Sequence, residues 1–179
     1  MRIIAGTAKG RIIKAPAGTK TRPTSDKVRE AIFSTINDKV SNSLVLDLYA
    51  GSGALGLEAL SRGARKAIFV DFSFAAIRAI KSNLANLHLG DYAEVKRQKA
   101  ERFLGSHNNE PFNLIFIDAP YRIGLINLEA IALSALKLLD EKGLMIVEHD
   151  AKLDLAENLV IIKRKKYGQT MISYLKRDN

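Results

Sequence analysis

From Leu44 onward, mostly apolar runs alternate with stretches of helical periodicity, and no other feature of this chain restricts its fold as tightly. The runs are Leu44 to Leu48, Ala67 to Asp71, Ala93 to Arg97, Phe112 to Asp118 and Leu144 to Val147. Between them, helical spacing is expected near Ala54 to Arg62, Ser73 to Leu87, Glu101 to Leu104 and Leu125 to Leu139. Apolar strands separated by helices require a mostly parallel sheet covered on both faces, hence an α/β fold. The tail breaks the pattern: Leu159 to Lys163 and Thr170 to Leu175, joined through Tyr167-Gly168, read as a hairpin.

Before the alternation, Ile3-Ile4-Ala5 and Arg11 to Ala15 are expected to be short strands joined through Gly6 to Gly10, a small basic hairpin. Thr21 to Asp26 then reads as a turn into a helix on which Val28, Ala31, Ile32 and Ile36 share a face. With 179 residues and no linker, the expectation is a single domain: residues 1–40 a basic appendage, residues 41–179 a catalytic core.

Apolar residues make up 47% of the chain without any run near membrane-span length, so a soluble protein is expected. Met1-Arg2-Ile3-Ile4-Ala5-Gly6 has no signal-peptide character, and a cytoplasmic location is the expectation. Cysteine is absent, which excludes disulfides, thiolate metal sites and cysteine nucleophiles. Three scattered histidines, His88, His107 and His149, leave no expected metal centre. The net charge of +9 is unevenly spread. Residues 1–40 hold nine Lys/Arg against three Asp/Glu, residues 152–179 seven against three, and residues 41–151 twelve against thirteen. A neutral centre flanked by basic ends suits a polyanion held around a reacting site.

Gly51-Ser52-Gly53-Ala54-Leu55-Gly56 follows the first strand as G-x-G-x-x-G, with Asp71 ending the second. Glycine allows the tight turn and close ligand approach, and the acid can accept ribose hydroxyls. Alone, the motif equally fits a nicotinamide or flavin. Asp47, ahead of the glycines, tips the choice, because it disfavours a pyrophosphate and suits the cationic methionine part of S-adenosylmethionine. Tyr49, Ser52 and Phe72 complete this candidate donor site, with Ala100 and Glu101 after the third strand. Lys99 cannot accept from an adenine amine, so backbone groups or Glu101 would have to serve.

Asp118-Ala119-Pro120-Tyr121 ends the fourth run. The Asp118 carboxylate and the Ala119 carbonyl can each accept one N–H of an aromatic amine, directing its lone pair outward. Pro120 biases Ala119 to extended backbone. Tyr121 can stack on a base taken out of its helix. For His149, beside Glu148, a structural hydrogen bond is favoured over a place in the base pocket.

An α/β sheet closing with a hairpin is the outline of class I methyltransferases. The chain resembles the RsmD-type bacterial methyltransferases acting on guanine N2 of 16S ribosomal RNA. Beyond the glycine turn and the tetrapeptide, the likeness rests on Met1 to Gly6, Thr21-Arg22-Pro23-Thr24, Val28-Arg29-Glu30-Ala31, Val147-Glu148-His149 and Lys166-Tyr167-Gly168. It implies a Rossmann-like sheet, S-adenosylmethionine as donor, the small ribosomal subunit as partner, and a monomer. Lys9, Arg11, Lys14, Arg22 and Arg29 would then contact RNA phosphates, with Lys163, Arg164, Lys165 and Lys166 as a second rim. Arg22 and Arg29 have a structural alternative, pairing with Asp26 and Glu30. The chain departs from the family at Ala119, where a proline is usual, and at Ser73, where a second acid often stands. A DNA amino-methyltransferase would share the tetrapeptide but would need a target-recognition insertion, and none is visible. A non-catalytic RNA-binding assembly factor is the other reading left open.

Overall fold

The computed structural model describes residues 1–17, 26–107, 110–156 and 159–178. One seven-stranded sheet runs through it in the order β3-β2-β1-β4-β5-β7-β6. Its strands are β1 (Leu44–Leu48), β2 (Lys66–Asp71), β3 (Ala93–Arg97), β4 (Phe112–Asp118), β5 (Leu139–Asp150), β6 (Ile161–Tyr167) and β7 (Thr170–Leu175). β1 to β5 pair in parallel, and β7 enters antiparallel between β5 and β6.

Helices α1 (Asp26–Thr35), α2 (Asn37–Val40), α3 (Ala54–Ser61) and α4 (Phe74–Leu87) supply one face. Helices α5 (Ala100–Ser106) and α6 (Leu125–Leu136) cover the other. The period of two along each strand sorts the core. Val45, Phe69, Leu114 and Phe116 join α3 and α4, while Leu46, Leu48, Ile68, Val70, Ile115 and Ile117 join α5 and α6. Each such fully buried side chain contributes roughly 1.5–3 kcal/mol. The same alternation sends Asp47, Asp71 and Asp118 toward the α3/α4 face, because they share parity with Val45, Phe69 and Phe116.

Four of the expected strands keep the ends read from the sequence: β1, β3, β4 and β7. β5 is longer than the apolar stretch Leu144 to Val147, because Leu139 pairs with Phe112 ahead of a register shift that releases residues 140–143. The N-terminal hairpin narrows to one antiparallel bridge, Arg2↔Ile12. The rest of that segment is held by α3 instead of by a partner strand. Glu58 accepts the N–H groups of Ile4 (2.8 Å) and Ala5 (3.0 Å), and Ser61 accepts that of Ala8 (3.0 Å). Gly6 makes this contact possible: it has φ +84, and a Cβ there would lie 1.8 Å from the Ser61 carbonyl oxygen.

Candidate active site

The connection order reverses between β1 and β4, and in open α/β sheets ligands bind outside the carboxyl ends of the strands at that switch point. The glycine turn sits there. Gly51 (φ 55) and Gly53 (φ 79) both take left-handed backbone, as does Tyr49 (φ 57) just ahead of them. Gly56 serves packing: a Cβ would stand 2.3 Å from Cε1 of the buried Phe69 ring.

Asp47 is 1% exposed, and its Oδ2 accepts the Gly56 N–H at 2.9 Å. Burial pushes its carboxyl well above the usual carboxylate range; the Gly56 bond opposes this, and the charges of Asp118 and Asp71 add to it. Asp47 thus senses the carboxylates at the tips of both neighbouring strands. Among the described residues, no cation pairs with Asp47 or Asp71. Asp71 accepts the Gly51 N–H (2.9 Å) through Oδ2 and the Ser73 N–H (2.8 Å) through Oδ1, so it shapes the turn before it meets any ligand. Each of its oxygens keeps a lone pair for a ribose hydroxyl.

Tyr49 faces Glu101. Burial pushes its hydroxyl up to about 12, with the Glu101 charge adding to the rise, and that hydroxyl is buried without a hydrogen-bond partner among the described residues. Phe72 is 63% exposed beyond the tip of β2. Ala100 is buried at the start of α5 and Glu101 is exposed after it. Ser52 is buried, and its carbonyl accepts Asn83 Nδ2 at 3.0 Å.

On β4, Asp118 lies in register with Glu148, and Ala119 is buried in the α5/α6 core. Pro120 (φ −56, ψ 134) leads into a single 3-10 turn, Tyr121–Ile123. The Tyr121 hydroxyl lies 2.9 Å from Thr170 Oγ1, which fixes the ring against β7 while leaving it half in solvent. Burial raises the Tyr121 hydroxyl pKa; the Thr170 bond opposes this, and the charges of Glu148, Asp118 and Asp150 add to it. His149 is structural. Its Nδ1 lies 3.0 Å from the Asp150 carbonyl, which only accepts, so Nε2 accepts the Ser173 hydroxyl at 2.9 Å.

The basic residues divide. Lys9, Arg11 and Lys14 are exposed on the N-terminal segment, with the Arg11 guanidinium donating to the Asn86 carbonyl. Arg22 lies outside the described residues, as does most of the turn from Thr21 to Asp26. Arg29 is a correction. It is fully buried, donates to the Arg2 carbonyl and to Asp26 Oδ1 (3.2 Å), and lies 3.7 Å from Glu58 Oε2, so it presents no charge to RNA. On β6, Lys163 and Lys166 are exposed, and Arg164 pairs with Asp154 at 2.8 Å. Lys165 donates to Thr35 Oγ1 at 3.0 Å, tying β6 to the end of α1.

Two residues outside the sequence reading, Glu58 and Asn83, brace the site. Asn83 is fully buried on α4: its Oδ1 accepts the Lys14 N–H (2.9 Å), and its Nδ2 donates to the carbonyls of Lys14 (2.9 Å) and Ser52 (3.0 Å). A lone polar residue on the apolar face of a helix is the signal that could have found both.

The strand order, the glycine turn under Asp47 and the tetrapeptide on the adjacent strand define a class I methyltransferase. A family model described as "Conserved hypothetical protein 95" matches residues 1–176. The chain belongs to that family, the RsmD family its sequence resembles. YlbH of Bacillus subtilis, which bears a provisional rRNA methyltransferase name, is 43% identical over 182 residues and 99% of each chain. Ribosomal RNA small subunit methyltransferase D of Escherichia coli K12 is 38% identical over 143 residues, 80% of this chain and 68% of that one. A solved Escherichia coli structure, titled as the methyltransferase candidate yhhF, superposes with a TM-score of 0.82 at 33% identity, covering 99% of this chain and 98% of that one.

Proposed function

We propose that the protein transfers a methyl group from S-adenosylmethionine to the exocyclic N2 amine of a guanine in 16S ribosomal RNA. The observation that carries this reading is the gathering of Asp47, Asp71 and Asp118 on one sheet face around the glycine turn, with the amine-holding tetrapeptide on the neighbouring strand. The names of the relatives support ribosomal RNA as the substrate.

The residues fit the donor chemically. Asp47 is a buried carboxylate paired with no cation among the described residues, so a positively charged ligand would stabilise its ionised form. The unpartnered Tyr49 hydroxyl and the free lone pairs of Asp71 suit a ligand carrying hydroxyl and amino groups. Phe72 offers a face to an adenine ring, and the glycines let the backbone come close. S-adenosylmethionine would supply a methyl on a sulfonium centre, an electrophile that needs no metal.

The protein's part is orientation. The lone pair of a guanine amine is delocalised into the ring and becomes nucleophilic as the amine rotates. The Asp118 carboxylate and the Ala119 carbonyl accept its two N–H groups, and Tyr121, anchored to Thr170, stacks on the base. Such positioning contributes several of the roughly 7–11 kcal/mol available to well-oriented reactions. The proton lost from nitrogen needs only a weak acceptor, and the Asp118 carboxylate is within reach of it. Lys9, Arg11, Lys14, Lys163 and Lys166 hold the surrounding phosphates.

The test is to incubate the protein and labelled donor with unmodified small subunits and with duplex DNA, then identify the methylated nucleoside by mass spectrometry. N2-methylguanosine from the subunits is expected. Asp118→Ala should lower turnover about a hundredfold or more while leaving donor affinity within about twofold. Methyladenine or methylcytosine in the DNA arm would overturn the substrate, and full turnover by the variant would overturn the role of Asp118.

A further inference from the structure

Beside the donor site, the carboxyl edge of the sheet carries a cluster that neither the glycine turn nor the tetrapeptide uses. Phe74 opens α4 directly after the tip of β2 and is 59% exposed. Two arginines from different elements converge on its ring. The guanidinium carbon of Arg97, the last residue of β3, lies 5.5 Å from the ring centroid, and that of Arg78, one turn along α4, lies 6.0 Å from it.

Among the described residues, neither arginine is in an ion pair, whereas Lys96, one residue before Arg97, pairs with Glu94 at 3.1 Å. The aromatic face therefore orders the guanidinium groups without occupying their N–H donors or neutralising their charge. A carboxylate partner would have done both. Arg97 is in register with Asp71, so this cluster adjoins the donor site, while β6 with Lys163 and Lys166 lies at the opposite edge of the sheet.

We propose that Phe74, Arg78 and Arg97 form a second RNA-contact surface, on the side of the reacting site away from the basic β6 rim. The inference rests on the reading of RNA as the substrate. A chain of formal charge +9 complements a polyanion. Guanidinium groups take phosphates through paired N–H bonds, and unstacked bases lie on exposed aromatic or guanidinium planes. One strand of the substrate thus spans the sheet edge from β6 to β3, and the reacting base enters between the two surfaces.

The experiment compares wild type with Arg78→Ala/Arg97→Ala and with Phe74→Ala. Their affinity for in-vitro-transcribed 16S RNA is measured across a salt series, and their donor affinity by calorimetry. The double variant should bind RNA about tenfold more weakly, with a salt slope shallower by about 1.4, since each phosphate left without its cation lowers the slope by about 0.7. Phe74→Ala should weaken RNA binding several-fold, and donor affinity should stay at the wild-type value in all variants. Unchanged RNA affinity and slope would overturn the proposal. So would a loss confined to donor affinity, which would make the cluster a wall of the donor site. If wild-type protein neither binds nor methylates the RNA, the functional reading itself falls, a result separate from either.

Discussion

Two buried carboxylates eleven residues apart in the chain, Asp47 and Glu58, live in opposite circumstances. Glu58, under the N-terminal segment, is fully buried and fully engaged: it accepts two backbone N–H groups and the Arg62 Nε–H at 2.7 Å, with Arg29 at 3.7 Å. Asp47, under the glycine turn, is equally buried but accepts one backbone N–H and faces two other acids. The first charge is balanced within the fold and serves stability. The second is left for a ligand to balance, which lowers the stability of the free protein and favours binding of a cation.

The comparison can be broken most forcefully at Glu58. Glu58→Ala takes one of two acids from the buried Arg29, which keeps Asp26, removes the partner of Arg62 and strips the N–H acceptors from Ile4 and Ala5. A loss of about 3–5 kcal/mol is expected, which lowers Tm by roughly 10 °C in calorimetry. A loss below about 1 kcal/mol would show that the N-terminal segment is held by other contacts.

Gly56→Ala attacks the single donor that Asp47 has. The added Cβ would meet Phe69 Cε1 at 2.3 Å and Asp47 Oδ2 at 3.1 Å, so α3 must shift. Overpacking of this sort costs about 1–3 kcal/mol. Phe69→Leu in the same protein should recover part of it, and denaturant unfolding of both variants decides the point.

Asp47→Asn should act in the opposite direction from Glu58→Ala. The amide oxygen still accepts the Gly56 N–H, and the buried charge is gone, so the ligand-free protein should gain about 1 kcal/mol at neutral pH. Donor affinity should fall about tenfold or more. The pH dependence sharpens this. A carboxyl whose folded pKa is raised holds its proton while the unfolded chain has released it. Its contribution to stability is therefore present below about pH 4, the range of a free aspartate, and is lost as pH rises through the folded pKa. His149 supplies the contrasting slope. Burial lowers its pKa, so its contribution is present above the ordinary value of 6.5 and is lost as pH falls toward the folded value. Unfolding free energies of wild type, Asp47→Asn and His149→Gln from about pH 4 to 8 separate the two slopes.

Tyr121→Phe is the mildest change. It removes one half-exposed hydrogen bond to Thr170 and should cost about 0.5–1 kcal/mol or less in stability. Its larger effect should be on turnover, through a freer ring.

Much of this is legible in the chain. The ends of β1, β4 and β7 follow from apolar runs bounded by Gly51, Pro120 and Gly168, since local pattern and turn chemistry agree there. The glycine turn and Asp118 to Tyr121 are readable because each is contiguous. Arg29 reads wrongly as an RNA contact for the converse reason. Its burial depends on α1 packing against α3, where Glu58, 29 residues later, meets it. The N-terminal hairpin shrinks to one bridge because only Ile3 and Ile13 bond across it there, while α3 and Asn83 take the neighbouring N–H groups of Ile4, Ala5 and Lys14.

The sequence by itself determined the elements, their approximate limits, the reacting groups and the excess of positive charge at both ends, since each of these lies within a few consecutive residues. Only the tertiary structure decided the strand order that brings three acids to one face, and which cations stay in solvent. It also decided that Glu58 holds the N-terminal segment to α3 and that Asn83 holds it to the glycine turn. Those outcomes rest on contacts between residues far apart in the chain, and the burial of a charge is fixed by what packs over it.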